Sequence, residues 1–191
     1  MTKGFRRALV VCGPICSGKS SLISKLTSNF AWDVVSFSTY VGSLVVEQDL
    51  PITRESMQLI GKGLVDTLSP AEFLKRTIAH CSPQSHVHLI DGIRHPVGIQ
   101  VVRQLYRESI SVFLNVSITA RYERYCRRDR QEDSALSFIE FERLCQMPIE
   151  AEIEGIRTVA DHILGASESL EQTYAELVRV IRARGFCNEG V

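Results

Sequence analysis

The chain has 191 residues and no net charge: 22 lysines and arginines stand against 22 aspartates and glutamates. A neutral molecule has no overall field to draw it to nucleic acid or to an anionic membrane, so neither is expected as a partner. No apolar run approaches the length of a membrane-spanning helix. The basic start, Met1 to Arg7, leads into an apolar stretch too short for the core of an export signal. None of the six cysteines (Cys12, Cys16, Cys81, Cys126, Cys145 and Cys187) belongs to a C-x-x-C, and none stands with histidines at zinc spacing. They read as reduced thiols in a cytosol-like compartment, which makes a cytoplasmic location the expectation. There is no internal repeat, no low-complexity tract and no Pro/Gly/Ser-rich linker. That leaves one domain over residues 1–191, large enough for a sizeable core.

What is present begins at Gly13-Pro14-Ile15-Cys16-Ser17-Gly18-Lys19-Ser20, a complete G-x-x-x-x-G-K-[ST] phosphate-binding loop, followed by Ser21. Gly13 and Gly18 permit backbone angles and close approaches that a Cβ would block. The loop N–H groups then form an anion nest, and the following helix adds the positive end of its dipole. Lys19 suits the β- and γ-phosphates of a nucleotide, and the Ser20 hydroxyl suits Mg²⁺. The context agrees: Ala8 to Cys12 is a buried-strand run, and Leu22, Ile23 and Leu26 share a helical face. Cys16 sits beside the helix dipole but reads as a small residue tolerated in the loop.

Strand and helix patterns alternate along the chain. Strands are expected over Arg7–Cys12, Asp33–Phe37, His86–Asp91, Ser111–Ser117 and Asp161–Leu164. Helices are expected near Ser20–Asn29, Tyr40–Glu47, Arg54–Leu68, Pro70–Cys81, Val97–Glu108, Ala120–Arg130, Ser137–Cys145, Ile149–Val159 and Ser169–Ala183. Ser69-Pro70-Ala71-Glu72 offers a Ser cap, Pro at the first helical position and Glu at the third. Such alternation predicts a three-layer α/β/α fold with a five-stranded parallel sheet, and a ligand over the carboxyl ends of the strands.

A second constellation is His86-Val-His-Leu-Ile-Asp91-Gly-Ile-Arg94-His-Pro96. A strand ending in Asp is the usual second contact for Mg²⁺ beside a phosphate loop, which pairs Asp91 with Ser20. Arg94 follows the turn at Gly92, and its guanidinium fork suits a phosphate. Together with the loop, Ser38-Thr39 and Pro51-Ile-Thr53-Arg54-Glu55, this stretch resembles the nucleoside monophosphate kinase branch of the P-loop superfamily. Within it the chain is similar to deoxynucleotide-kinase-like and dephospho-CoA-kinase-like proteins. The resemblance implies strand order 2-3-1-4-5, ATP as phosphate donor, Mg²⁺, and a small-molecule nucleotide as acceptor. It also implies an acceptor-binding insertion over about residues 38–80, in which Ser38 and Arg54, the latter at a helix start capped by Thr53, join Asp91 and Arg94 as substrate-binding residues.

Arg121, Arg124, Arg127, Arg128 and Arg130 fall within ten residues, and Arg121, Arg124 and Arg128 share a helical face. In the resembled family this is a lid, here about residues 119–136, whose arginines neutralise transition-state charge. Arg124 and Arg128 are the first choices, beside Lys19 and Arg94. Gln131–Ser134 would form the lid's hinge or tip, and the loop at Gly165–Ser167 would lie against the base. The Asn-Lys-x-Asp motif of regulatory GTPases is absent.

One departure bears on the acceptor. Dephospho-CoA kinases are expected to carry an acidic base after the second strand, but Val35-Ser36-Phe37-Ser38-Thr39 has none and Asp33 lies at the wrong end. A phosphate acceptor is already an anionic nucleophile and needs alignment and neutralisation rather than a base. The expectation is therefore a nucleoside or deoxynucleoside monophosphate kinase. A dephospho-CoA-kinase-like enzyme, which Gln146-Met-Pro148 and Ala160 to Leu164 resemble, is the alternative. A non-catalytic ATP-binding switch or scaffold stands as the alternative of another class.

Overall fold

The computed structural model describes residues 6–127, 136–165 and 169–186, with the backbone alone at residues 54, 148 and 149. Strands β1 (Arg7–Cys12), β2 (Asp33–Ser36), β3 (Val87–Asp91), β4 (Glu108–Asn115) and β5 (His162–Gly165) form one sheet. Its order is β2-β3-β1-β4-β5 and every pairing is parallel. The described helices are α1 (Lys19–Asn29), α2 (Phe37–Glu47), α3 (Arg54–Thr67), α4 (Pro70–Cys81), α5 (Pro96–Leu105), α6 (Ile118–Cys126), α7 (Phe138–Cys145), α8 (Pro148–Ile156) and α9 (Leu170–Ala183). None is long and apolar enough to cross a membrane.

The layers follow from the two-residue side-chain period of the strands. Leu9 and Val11 of β1 point to one face, where they pack with Leu22 and Leu26 of α1 and Leu177 and Ile181 of α9. Ala8, Val10 and Cys12 point to the other, against Leu74 of α4, Ile99 and Val102 of α5, and Ile153 and Ile156 of α8. The strands are apolar on both sides because both sides are covered. Each fully buried Leu, Ile or Val contributes about 1.5–3 kcal/mol relative to exposure. α3 differs: none of its described side chains is buried, and it leans on α2, where Met57 Sδ lies 3.8 Å from the Cβ position of Gly42.

Several boundaries differ from expectation by one to four residues, and those of β2 and β4 have a clear physical cause. β2 stops at Ser36 because its hydroxyl caps the next helix, accepting from Thr39 N–H at 3.3 Å, so Ser38 and Thr39 belong to the first turn of α2. β4 starts at Glu108, three residues early, where it pairs with Arg7 in register and Arg7 Nε lies 2.7 Å from Glu108 Oε2. Helix α5 correspondingly ends at Leu105. The caps expected at Ser69 and Thr53 are present: each hydroxyl oxygen accepts from a backbone N–H at 3.2 Å, Glu72 and Ser56 respectively.

Both edge strands are fastened at their amino ends by an aspartate. Asp33 Oδ2 accepts from Gln84 N–H at 2.6 Å and Ser85 N–H at 2.7 Å. These N–H groups, Ser85 first, hold its carboxyl below the usual range. Asp161 Oδ2 accepts from Ser111 N–H at 2.7 Å and Ser111 Oγ–H at 2.6 Å, and Oδ1 accepts from Arg103 Nη2 at 2.8 Å. Burial raises the Asp161 carboxyl, but the Ser111 bonds and Arg103 outweigh it and the net shift is downward. A carboxyl depressed on folding stabilises above its unfolded pKa of about 3.9, and that contribution is lost as pH falls through the lower folded value. Asp161→Ala is expected to cost about 1–3 kcal/mol in urea denaturation at pH 7. The gap between wild type and variant should narrow as the pH drops below 4.

Candidate active site

The loop between β1 and α1 lies tightly against β4. A Cβ at Gly13 (φ +152°) would lie 2.8 Å from Ser17 Oγ and 3.1 Å from both Cβ and O of Leu114 on β4. Gly18 (φ 97°, ψ 10°) occupies the left-handed region as the cap residue of α1. Six of the other helices have a Ser or Thr hydroxyl at the cap, whereas α1 has no side-chain cap and no acidic residue in its first turn. Its leading N–H groups thus meet no capping side chain, an arrangement that suits an anion. Ser20 and Ser21 are exposed on this first turn.

Cations gather on the carbonyl side of the loop. Lys19 Nζ donates to Gly13 O at 2.6 Å and Pro14 O at 2.9 Å. Burial pushes the Lys19 ammonium below its ordinary value, opposed by the charges of Asp91 and Glu150. Arg121 is buried; its Nη1 donates to Ile15 O at 3.4 Å and to Cys145 Sγ at 3.1 Å, and its Nε has no hydrogen-bond partner among the described residues. Arg124 Nη1 donates to Ser17 O at 2.8 Å. Arg127 turns outward to Glu123 at 3.8 Å. The opposite flank of α6 is aromatic: Tyr122 and Tyr125 pack on Phe141, with Tyr122 also on Phe138.

Asp91 ends β3 beside Val11 of β1, one strand from the loop. Burial raises its carboxyl above the usual range, against the pull of Lys19 and Arg94. Gly92 (φ +100°) makes the turn, where a Cβ would come within 3.1 Å of Phe37 Cβ. Arg94 follows, half exposed, with Nη1 3.4 Å from Glu150 Oε1. Beneath the loop, burial pushes the Cys12 thiol up to about 12, so it stays protonated.

Of the residues expected in a site, Gly13–Ser21, Asp91, Arg94 and Arg124 meet at the carboxyl end of the sheet. Ser38 lies near the end of β2, its hydroxyl 2.9 Å from that of Ser36. Arg54 opens α3, where the backbone alone is described. Arg128, the 131–134 segment and most of the 165–167 loop lie outside the described residues. Asp33 sits at the amino end of its strand, as expected. Sequence reasoning missed Glu150: from α8, its Oε2 accepts from Ile15 N–H of the loop at 3.0 Å, and the residue is 8% exposed. Its only sequence signal is an acidic residue in a Pro-started first turn, which reads as an ordinary helix start.

No family model matches the chain, and no curated protein matches it. Solved structures do match over nearly their whole lengths. A shikimate kinase from Bacteroides thetaiotaomicron aligns with a TM-score of 0.60 at 15% identity, covering 92% of this chain and 98% of that one. A shikimate kinase from Aquifex aeolicus aligns at 0.55 and 14%, covering 95% and 99%. A sugar kinase from a Janibacter species aligns at 0.55 and 14%, covering 93% and 94%. The chain therefore has the α/β fold of the P-loop kinases, with its phosphate loop at the end of the first strand.

Proposed function

We propose that the chain is an ATP-dependent phosphotransferase acting on a small-molecule nucleotide. In this reading the γ-phosphoryl group of ATP passes to the phosphate of a nucleoside or deoxynucleoside monophosphate. The observation that carries it is the meeting of the uncapped α1 start and Lys19 with Arg94 at one end of the sheet, with two arginines of α6 turned onto the same loop. Shikimate and sugar kinases share this fold, which supports phosphoryl transfer as the reaction class.

Lys19 is assigned to the β/γ-phosphates, exchanging its two loop carbonyls for phosphate oxygens. Arg94 and Arg54 are assigned to the acceptor's phosphate. Arg124 neutralises developing charge, with Arg128 assigned to the same task from the sequence; such arginines are worth about 10³–10⁵ in rate. Mg²⁺ fits the donor set of one partly buried carboxylate and one hydroxyl, Asp91 and Ser20, because this hard ion is commonly held by few protein oxygens plus phosphates and water. When bound it would add charge neutralisation at the phosphates. Catalysis here is mostly alignment and electrostatics.

A second reading, transfer to a sugar hydroxyl as in dephospho-CoA kinases, draws on Glu150. It places beside the loop a carboxylate that the end of β2 lacks. That carboxylate already holds Ile15 N–H and Arg94, which favours the phosphate acceptor.

A coupled ADP-release assay over the ribo- and deoxyribonucleoside monophosphates and dephospho-CoA tests this. Turnover with a monophosphate is expected. Turnover with dephospho-CoA alone selects the hydroxyl reading, and Mg·ATP binding without any turnover leaves a switch or scaffold. Gly13→Ala should weaken Mg·ATP binding in calorimetry at least about tenfold, since its Cβ has no room beside Leu114. The acid limb of kcat/KM for Mg·ATP should lie above the ordinary aspartate value of about 3.9, because Asp91 must lose its proton to act and burial raises its pKa. In Asp91→Asn that limb should vanish from the residual activity.

A further inference from the structure

We infer that Glu150 is a positioning residue that ties the donor half of the site to the acceptor half. The inference rests on the kinase reading and deepens it. One carboxylate oxygen accepts from Ile15 N–H, the third residue of the phosphate loop, at 3.0 Å. The other lies 3.4 Å from Arg94 Nη1. These partners are 135 and 56 residues away in the chain, so the contact joins β1's loop, β3's turn and α8.

The geometry favours holding over reacting. The Glu150 side chain is 10% exposed and that of Arg94 is 50% exposed. The buried partner is fixed, and the half-exposed one is aimed from it. A guanidinium carries five N–H donors, and this contact engages one nitrogen, so most of the fork remains for an anion. Glu150 also stands in the first turn of α8, where a carboxylate is stabilised by the positive end of the helix. The same loop residue is held from its other side, because Ile15 O accepts from Arg121. Ile15 is thus gripped through its N–H by α8 and through its carbonyl by α6. Removing Glu150 would leave a loop N–H unsatisfied and let Arg94 swing free of the acceptor position. A donor left without its acceptor costs free energy, and a half-exposed arginine left without its carboxylate loses its aim.

Three variants test it: Glu150→Gln, Arg94→Ala and the double variant, compared by steady-state kinetics and Mg·ATP calorimetry. The glutamine keeps an acceptor for Ile15 N–H but loses the charge that aims Arg94. Glu150→Gln is expected to raise the acceptor KM about tenfold or more while changing the Mg·ATP Kd less than about threefold. The double variant should be no worse than Arg94→Ala alone within about twofold, because both changes remove one interaction. Additive effects, or an ATP Kd that moves as much as the acceptor KM, would overturn the proposal. So would a collapse of kcat with acceptor KM unchanged, which would make Glu150 a proton acceptor instead. Amide exchange at Ile15, measured without nucleotide, is independent of turnover. Glu150→Ala should speed it about tenfold, and unchanged protection sinks the proposal. If the wild type turns over no acceptor, the kinase reading falls, and amide exchange still decides whether Glu150 holds the loop.

Discussion

The rest of the site depends on how closely the loop lies against the carboxyl end of β4. At Gly13 a single extra carbon would strike Ser17 and Leu114, so the loop has one path over the sheet. That path points its carbonyls outward, where Lys19, Arg121 and Arg124 take those of Gly13, Pro14, Ile15 and Ser17. The carbonyls are thus satisfied by cations, the Ile15 N–H is taken by Glu150, and the start of α1 carries no capping side chain. The loop is held from both sides of one backbone segment.

This arrangement also explains how a neutral chain concentrates charge. The excess of arginine near residue 121 is spent on the loop through two side chains of one α6 face, while the aromatic flank fastens that helix to α7. Two carboxylates, Asp91 and Glu150, temper the cluster and oppose the loss of charge that burial imposes on Lys19. The fastening of the edge strands is kept at the opposite end of the sheet, at Asp33 and Asp161.

Much of this was legible in the sequence because it is local or periodic. The loop motif, the alternation of strands and helices, and the capping signals at Thr53 and Ser69 need no knowledge of distant residues. The i, i+3 spacing of Arg121 and Arg124 marked one shared helix face, but not that this face meets the loop carbonyls. What was not legible is pairing across long separations. Glu150 reaches Ile15 over 135 residues, and no spacing rule marks it apart from the other glutamates. The shift at β4 has the same origin, whereas that at β2 is a local cap. Ser36 ends a strand because its hydroxyl finds Thr39, and Glu108 joins one because Arg7 lies opposite. Burial of Arg121 likewise comes from the helices that close over it, not from its immediate neighbours in sequence.

The unburied helix α3 has a consequence for how this architecture can change over time. A wall with none of its described side chains buried can be lifted, shortened or rewritten with little loss of folding free energy. The sheet and its loop admit almost no such editing. A molecule built in this way can vary one loosely held panel while the β1–α1 loop and the strands beneath it stay as they are.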